Sequence, residues 1–106
     1  MAPKLTRDPR RQPAHPGALL REIILPAIGK PKAEIARALG VSRETLYKVL
    51  GERQSITPDL AARLGKLCGN GPALWLRMQA AYDAWLALSV DVSGIPTLGV
   101  GWDVAA

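Results

Sequence analysis

The chain holds one cysteine, Cys68, and one histidine, His15, in 106 residues. A lone cysteine excludes an internal disulfide. One cysteine with one histidine also leaves no ligand set of the usual zinc spacing. Cys68 follows Leu64 and Leu67 in a helical apolar pattern, which predicts a small buried residue. No apolar run is long enough to cross a bilayer, and the first residues lack a secretory pattern, so a cytoplasmic location is expected. Neither a phosphate-cradling glycine loop nor a paired-carboxylate motif is present. His15 has no evident Ser or Cys partner, and Glu22 and Glu34 fall at solvated helical positions. These absences argue against an enzyme, and no catalytic residue, metal or cofactor is assigned.

What is present is apolar content of 48%, enough for one globular domain around one core. The most informative stretch is Lys32 to Leu50, KAEIARALGVSRETLYKVL. Ile35, Ala36 and Leu39 recur at helical spacing, and so do Leu46, Val49 and Leu50. Between the two segments lies Gly40, suited to a left-handed helix end, and then Ser42, a capping residue. This is the pattern of a helix-turn-helix, with the small Ala36 where the two helices cross. The second helix presents Arg43, Glu44, Thr45, Tyr47 and Lys48, side chains able to hydrogen-bond base edges in a major groove. Charge points the same way. The positive excess lies in residues 1–66, whereas residues 67–106 set only Arg77 against Asp83, Asp91 and Asp103. A polyanion would meet the first part. An ordinary solvated basic surface is the alternative, since a net charge of +5 is not extreme.

The rest of the chain reads as helices bounded by Pro and Gly. Residues 1–14 are rich in Pro and Arg without periodicity and are expected to form a flexible basic arm. A first helix starts near His15-Pro16, with Leu19, Leu20, Ile23, Ile24 and Ile28 as its apolar stripe. Pro26 should kink its last turn and Gly29 should close it. Pro31 opens the second helix, and the third runs from about Arg43 to Leu50. After the polar loop Gly51 to Ile56, Thr57-Pro58-Asp59 starts a fourth helix that ends at Gly69. Gly71-Pro72 opens a fifth, carried to about Leu88.

That fifth helix is apolar nearly all round, which calls for burial on more than one side. Leu74, Met78, Ala81, Trp85 and Leu88 form one stripe, and Trp75, Leu76, Tyr82 and Leu86 spread around the rest. One face is expected to close the core and the other to meet a second copy, with Trp75, Met78, Tyr82 and Trp85 divided between them. A monomer whose last helix is covered by the C-terminal tail is the alternative. Residues 89–106 leave the helical pattern, and their near-alternation of apolar residues is compatible with a short strand or an extended arm.

Four blocks, HPGALLREIILPAIG (15–29), EIARALGVSRETLYKVL (34–50), SITPDLAARLGKL (55–67) and PALWLRMQAAYDAWLAL (72–88), occur in an order and spacing that resemble the HigA-type antitoxins. These form a branch of the lambda-repressor-like (Xre) helix-turn-helix group. The HPG start and the WL-x-x-Q-x-x-YD-x-W ending are more specific than the helix-turn-helix itself. The chain departs from the pattern at Gly51-Glu52, where the family usually has Asn, and at Asn70-Gly71, where Ser is common. The resemblance implies an all-α, five-helix domain over residues 15–88, between the arm 1–14 and a non-helical tail 89–106. It implies an antitoxin that binds a HigB-like ribonuclease toxin and represses its own operon by binding operator double-stranded DNA as a homodimer. The DNA-facing residues would be Ser42, Arg43, Glu44, Thr45, Tyr47 and Lys48, with Lys32, Arg53, Gln54 and Ser55 on phosphates. The arm and first helix are the candidate toxin surface. A stand-alone Xre-type regulator without a toxin is the alternative.

Overall fold

A computed structural model describes residues 11–101. The expected arm lies mostly outside that range, as do Trp102, Asp103 and Val104 of the tail. Three end-to-end segments make the first helical body: α1 (Pro16–Leu19), a π-helical turn (Leu20–Ile24) and α2 (Leu25–Ile28). Then follow α3 (Lys32–Leu39), α4 (Arg43–Leu50), α5 (Pro58–Cys68) and α6 (Ala73–Ala87). The described residues thus form five helical bodies and no strand, the all-α architecture that the periodicity predicts.

The first body differs from expectation in its interior. Pro26 has no N–H, and in an α-helix its ring would crowd the carbonyl four residues back. The π turn ends two residues before it, with the Leu25 N–H bonded to the Leu20 carbonyl. A five-residue step then replaces the usual three or four. Leu20 and Leu25 share the buried face, at 0% and 7% exposure, and Ile23, placed on the stripe by a strict helical period, is turned out to 60%.

The core gathers Leu20, Leu25, Ile35, Ala36, Leu39, Leu46, Val49, Leu50, Ile56, Leu60, Ala61, Leu64 and Trp75. Ala36 is buried where α3 and α4 cross, as the sequence requires. Gly40 takes φ +74 at the end of α3, and Ser42 Oγ accepts from the Thr45 N–H at 3.0 Å. Thr57 caps α5 in the same way, accepting from the Leu60 N–H at 3.2 Å. Cys68 is half-buried, and burial raises its thiol pKa.

Helix α6 divides differently from the stripe read in the sequence. Its core-facing residues are Trp75 and Gln79. Trp75 is completely buried, with its indole N–H donating to Asn70 Oδ1 at 3.2 Å. That removes Trp75 from any contact with a second copy. Met78 is half-buried beside Pro13 in a shallow hollow of about 210 Å³, so the chain is already packed at Pro13. Tyr82 and Trp85 are half-buried, with rings 5.8 Å apart. The outward face is instead Ala73, Leu76, Ala80, Ala84 and Ala87. Beyond α6 the described tail forms turns and no strand. It leaves Val90, Val92, Ile95, Leu98 and Val100 from 57% to 85% exposed.

Candidate nucleic-acid interface

The exposed side of α4 is built by what its other side must bury. Leu46, Val49 and Leu50 go into the core, so helical geometry sends Arg43, Glu44 and Tyr47 to solvent. Tyr47 is 49% exposed. Lys48 and Thr45 are half-exposed at the edge of this face. Lys48 pairs with Glu44 one turn away at 3.7 Å, an exposed contact of small energetic weight. Ser42 and Thr45 share a 3.0 Å hydroxyl contact at the start of the helix, so both help to fix its amino end.

The polar loop continues α4 rather than breaking from it. Gly51, Glu52 and Arg53 donate their backbone N–H groups to the carbonyls of Tyr47, Val49 and Lys48, at 2.9, 3.0 and 2.8 Å. Arg53 therefore sits one turn beyond the helix, on backbone tied to it. Arg53 and Ser55 are exposed and Gln54 half-exposed. Glu52 has φ +60, the left-handed conformation for which Asn is the favoured residue other than glycine. The departure at Gly51-Glu52 is thus a strained position occupied by a less suitable side chain. Lys32 is exposed at the amino end of α3, which has no side-chain cap. The sequence-predicted DNA residues therefore occupy α4, the loop that extends it and the start of α3.

Sequence reasoning missed the residues that hold this surface in place. Gln79 is 6% exposed, and its Oε1 accepts from the Ile56 N–H at 2.8 Å. Its Nε2 donates to Asp83 Oδ1 at 2.9 Å. Helix α6 thereby anchors the far end of the loop. A lone amide in an otherwise apolar helix was the available signal.

His15 is 3% exposed and caps α1, its Nδ1 accepting from the Gly17 N–H at 2.9 Å. Its ring meets that of Tyr82 edge-on at 4.8 Å. Burial lowers its pKa, against the opposing pull of Glu52 and Asp83, with Arg21 adding to the lowering. Gly17 packs directly on α4, where a Cβ would overlap the Val49 carbonyl oxygen and come within 2.9 Å of its carbon. The HPG start is thus a cap, a first-turn proline and a close approach to α4. The Q-x-x-YD portion of α6 supplies the opposing contacts.

Two exposed arginines in the basic half reach back to backbone carbonyls. Arg21 donates to the Leu50 carbonyl at 2.6 Å, and Arg63 donates to the Leu39 carbonyl at 2.9 Å. Each satisfies a carbonyl at the end of one helix of the helix-turn-helix.

Comparison with known proteins matches residues 20–53 to the helix-turn-helix domain of resolvase. The chain is 40% identical over 73 residues to virulence-associated protein I of Dichelobacter nodosus, covering 69% of this chain and 68% of that protein. It is 32% identical over 79 residues to antitoxin HigA-1 of Vibrio cholerae, covering 74% of each. Among solved structures, the Pseudomonas aeruginosa antitoxin HigA with the higBA promoter superposes with a TM-score of 0.72 at 32% identity, covering 79% of this chain and 91% of that one.

Proposed function

We propose, for a chain that belongs to the HigA-type antitoxins of the lambda-repressor-like (Xre) helix-turn-helix family, that it represses its own operon as a dimer and neutralises a HigB-like ribonuclease toxin. The observation that carries the DNA reading is the rigid union of α4 with the loop beyond it. Arg43, Glu44 and Tyr47 project from one exposed face, and Arg53 follows on backbone bonded to Lys48. In this arrangement Ser42, Arg43, Glu44, Thr45, Tyr47 and Lys48 approach base edges. Lys32, Arg53, Gln54 and Ser55 take the flanking phosphates. The dimer would form through the outward face of α6, presenting two reading helices to a symmetric site.

Two substitutions test the DNA assignment. Arg43→Ala should cost about 1–3 kcal/mol on the cognate duplex and relax base preference. Arg53→Ala should weaken all duplexes alike and flatten the salt dependence. Equal losses on cognate and scrambled DNA for Arg43→Ala would refute base reading by that residue.

Toxin binding is supported by the kinship with antitoxins and by the apolar tail, a surface suited to a protein partner. An RNA-cleaving partner has a basic active surface, and this chain carries +5, so general charge attraction cannot join them. The contact should rest on apolar burial and tolerate roughly half-molar salt, while DNA binding falls steeply. Co-purification with the product of a neighbouring reading frame, repeated across salt, tests this. Failure to retain such a protein would favour the stand-alone regulator.

A further inference from the structure

Arg21 stands on the π turn of the first helical body, before the α3–α4 pair, yet its guanidinium reaches the end of the reading helix. Nη1 donates to the Leu50 carbonyl at 2.6 Å and to Glu52 Oε2 at 3.1 Å, and Nε donates to Glu22 Oε2 at 2.7 Å. Leu50 is the last residue of α4, and a terminal carbonyl has no partner within its own helix. A cation there also faces the negative end of the helix dipole. Glu52 is the residue in the left-handed conformation, from which the chain turns into Arg53, Gln54 and Ser55. One side chain therefore grips both the last turn of α4 and the strained residue that aims the loop.

We propose that Arg21 is a positioning residue for base recognition. It touches no DNA. It holds the carboxyl end of α4 and the Glu52 turn so that Arg43, Tyr47 and Lys48 meet the groove in register. The ion pair with Glu52 is solvent-accessible on both sides and contributes little by itself. The hydrogen bond to the Leu50 carbonyl is half-buried and fixes backbone, which gives it the larger share. Arg63 makes the parallel arrangement on α3, bonding the Leu39 carbonyl while paired with Asp59 at 2.8 Å. Both helices of the motif are thus held at their carboxyl ends by arginines from elsewhere in the domain.

The proposal rests on reading α4 as the DNA-contacting helix. The competing role for a surface arginine in a basic region is a direct phosphate contact, and salt separates the two. Arg21→Met keeps the aliphatic stem and removes the donors. The probes are a duplex spanning the chain's own promoter and a shuffled duplex of equal composition. Measurements are made across a salt series, at a temperature where circular dichroism shows the variant fully folded.

Loss of the clamp lowers the fraction of protein with α4 correctly placed, and apparent affinity falls by that fraction. The promoter duplex should lose about tenfold, the scale of one charge-assisted hydrogen bond. The shuffled duplex should lose less than about twofold, because nonspecific binding needs charge rather than register. The salt slope should stay unchanged, and Arg21→Lys should recover most of the loss. If Arg21→Met does not fold, Arg21→Gln, which retains a neutral donor, carries the same comparison.

Equal loss on both duplexes with a shallower salt slope makes Arg21 a phosphate contact and overturns the proposal. No change on either duplex overturns it while leaving the DNA reading intact. A wild-type protein that does not discriminate between the duplexes overturns the DNA reading itself, and the proposal with it.

Discussion

Replacing Gln79 by leucine tests the link between α6 and the loop beyond α4. The Gln79 Oε1 accepts from the Ile56 N–H at 2.8 Å, and both residues are nearly sealed from solvent, at 6% and 3% exposure. Leucine fills a similar volume and accepts nothing. The Ile56 N–H would then be buried without a partner, which costs about 1–3 kcal/mol. Asp83 also loses the Nε2 donor, but Asp83 is exposed, so water replaces that bond at little cost. A net loss of about 2 kcal/mol, at roughly 4–8 °C per kcal/mol for a domain this small, lowers Tm by about 8–16 °C. Thermal unfolding followed by circular dichroism measures it, with urea unfolding as a check on stability. Because Ile56 ends the loop that carries Arg53 and Ser55, affinity for every duplex should fall together, without change in base preference. A Tm within about 3 °C of wild type would show that the amide is not the anchor described, because a buried unpaired N–H cannot cost so little.

Gly17→Ala carries a diagnostic sign. Alanine normally favours a helix over glycine by about 1 kcal/mol. Here a Cβ overlaps the Val49 carbonyl, so Tm should fall, and a rise would refute the close approach of α1 to α4. The depressed pKa of His15 ties stability to acid. A base whose folded pKa lies below its unfolded value of 6.5 gives full stability above that pH and loses it as pH falls toward the folded value. Wild-type Tm should therefore decline below about pH 6.5, and His15→Asn, which keeps a capping acceptor without titrating, should lack that segment of the profile. Identical profiles would dismiss the role of His15. For the proposed dimer, Tyr82→Glu strikes the His15 contact and should damage the fold. The informative substitution is Leu76→Glu on the outward face, which should yield folded monomers by sedimentation. An unchanged dimer would place the two-fold contact elsewhere.

Much of this protein is legible in the order of its residues. Helix ends follow from Pro, Gly and capping residues, because backbone limits and terminal hydrogen bonds are local. The helix-turn-helix follows from two apolar stripes around Gly40 and Ser42, and burial of those stripes alone sends Arg43, Glu44 and Tyr47 outward. The tertiary structure decided what depends on distant partners or on broken periodicity. The π turn shifts register by one residue and exchanges Ile23 for Leu25 in the core, which a constant helical period cannot anticipate. Trp75 belongs to the core rather than to an outer face because α6 has a buried side, and its near-uniform hydrophobicity does not mark which side that is. Arg21 and Leu50 are separated by 29 residues, and Gln79 and Ile56 by 23. No local rule pairs them. They meet only because packing brings the first helix and α6 against α4 and its loop, and a buried polar group must find its partner wherever the fold places one.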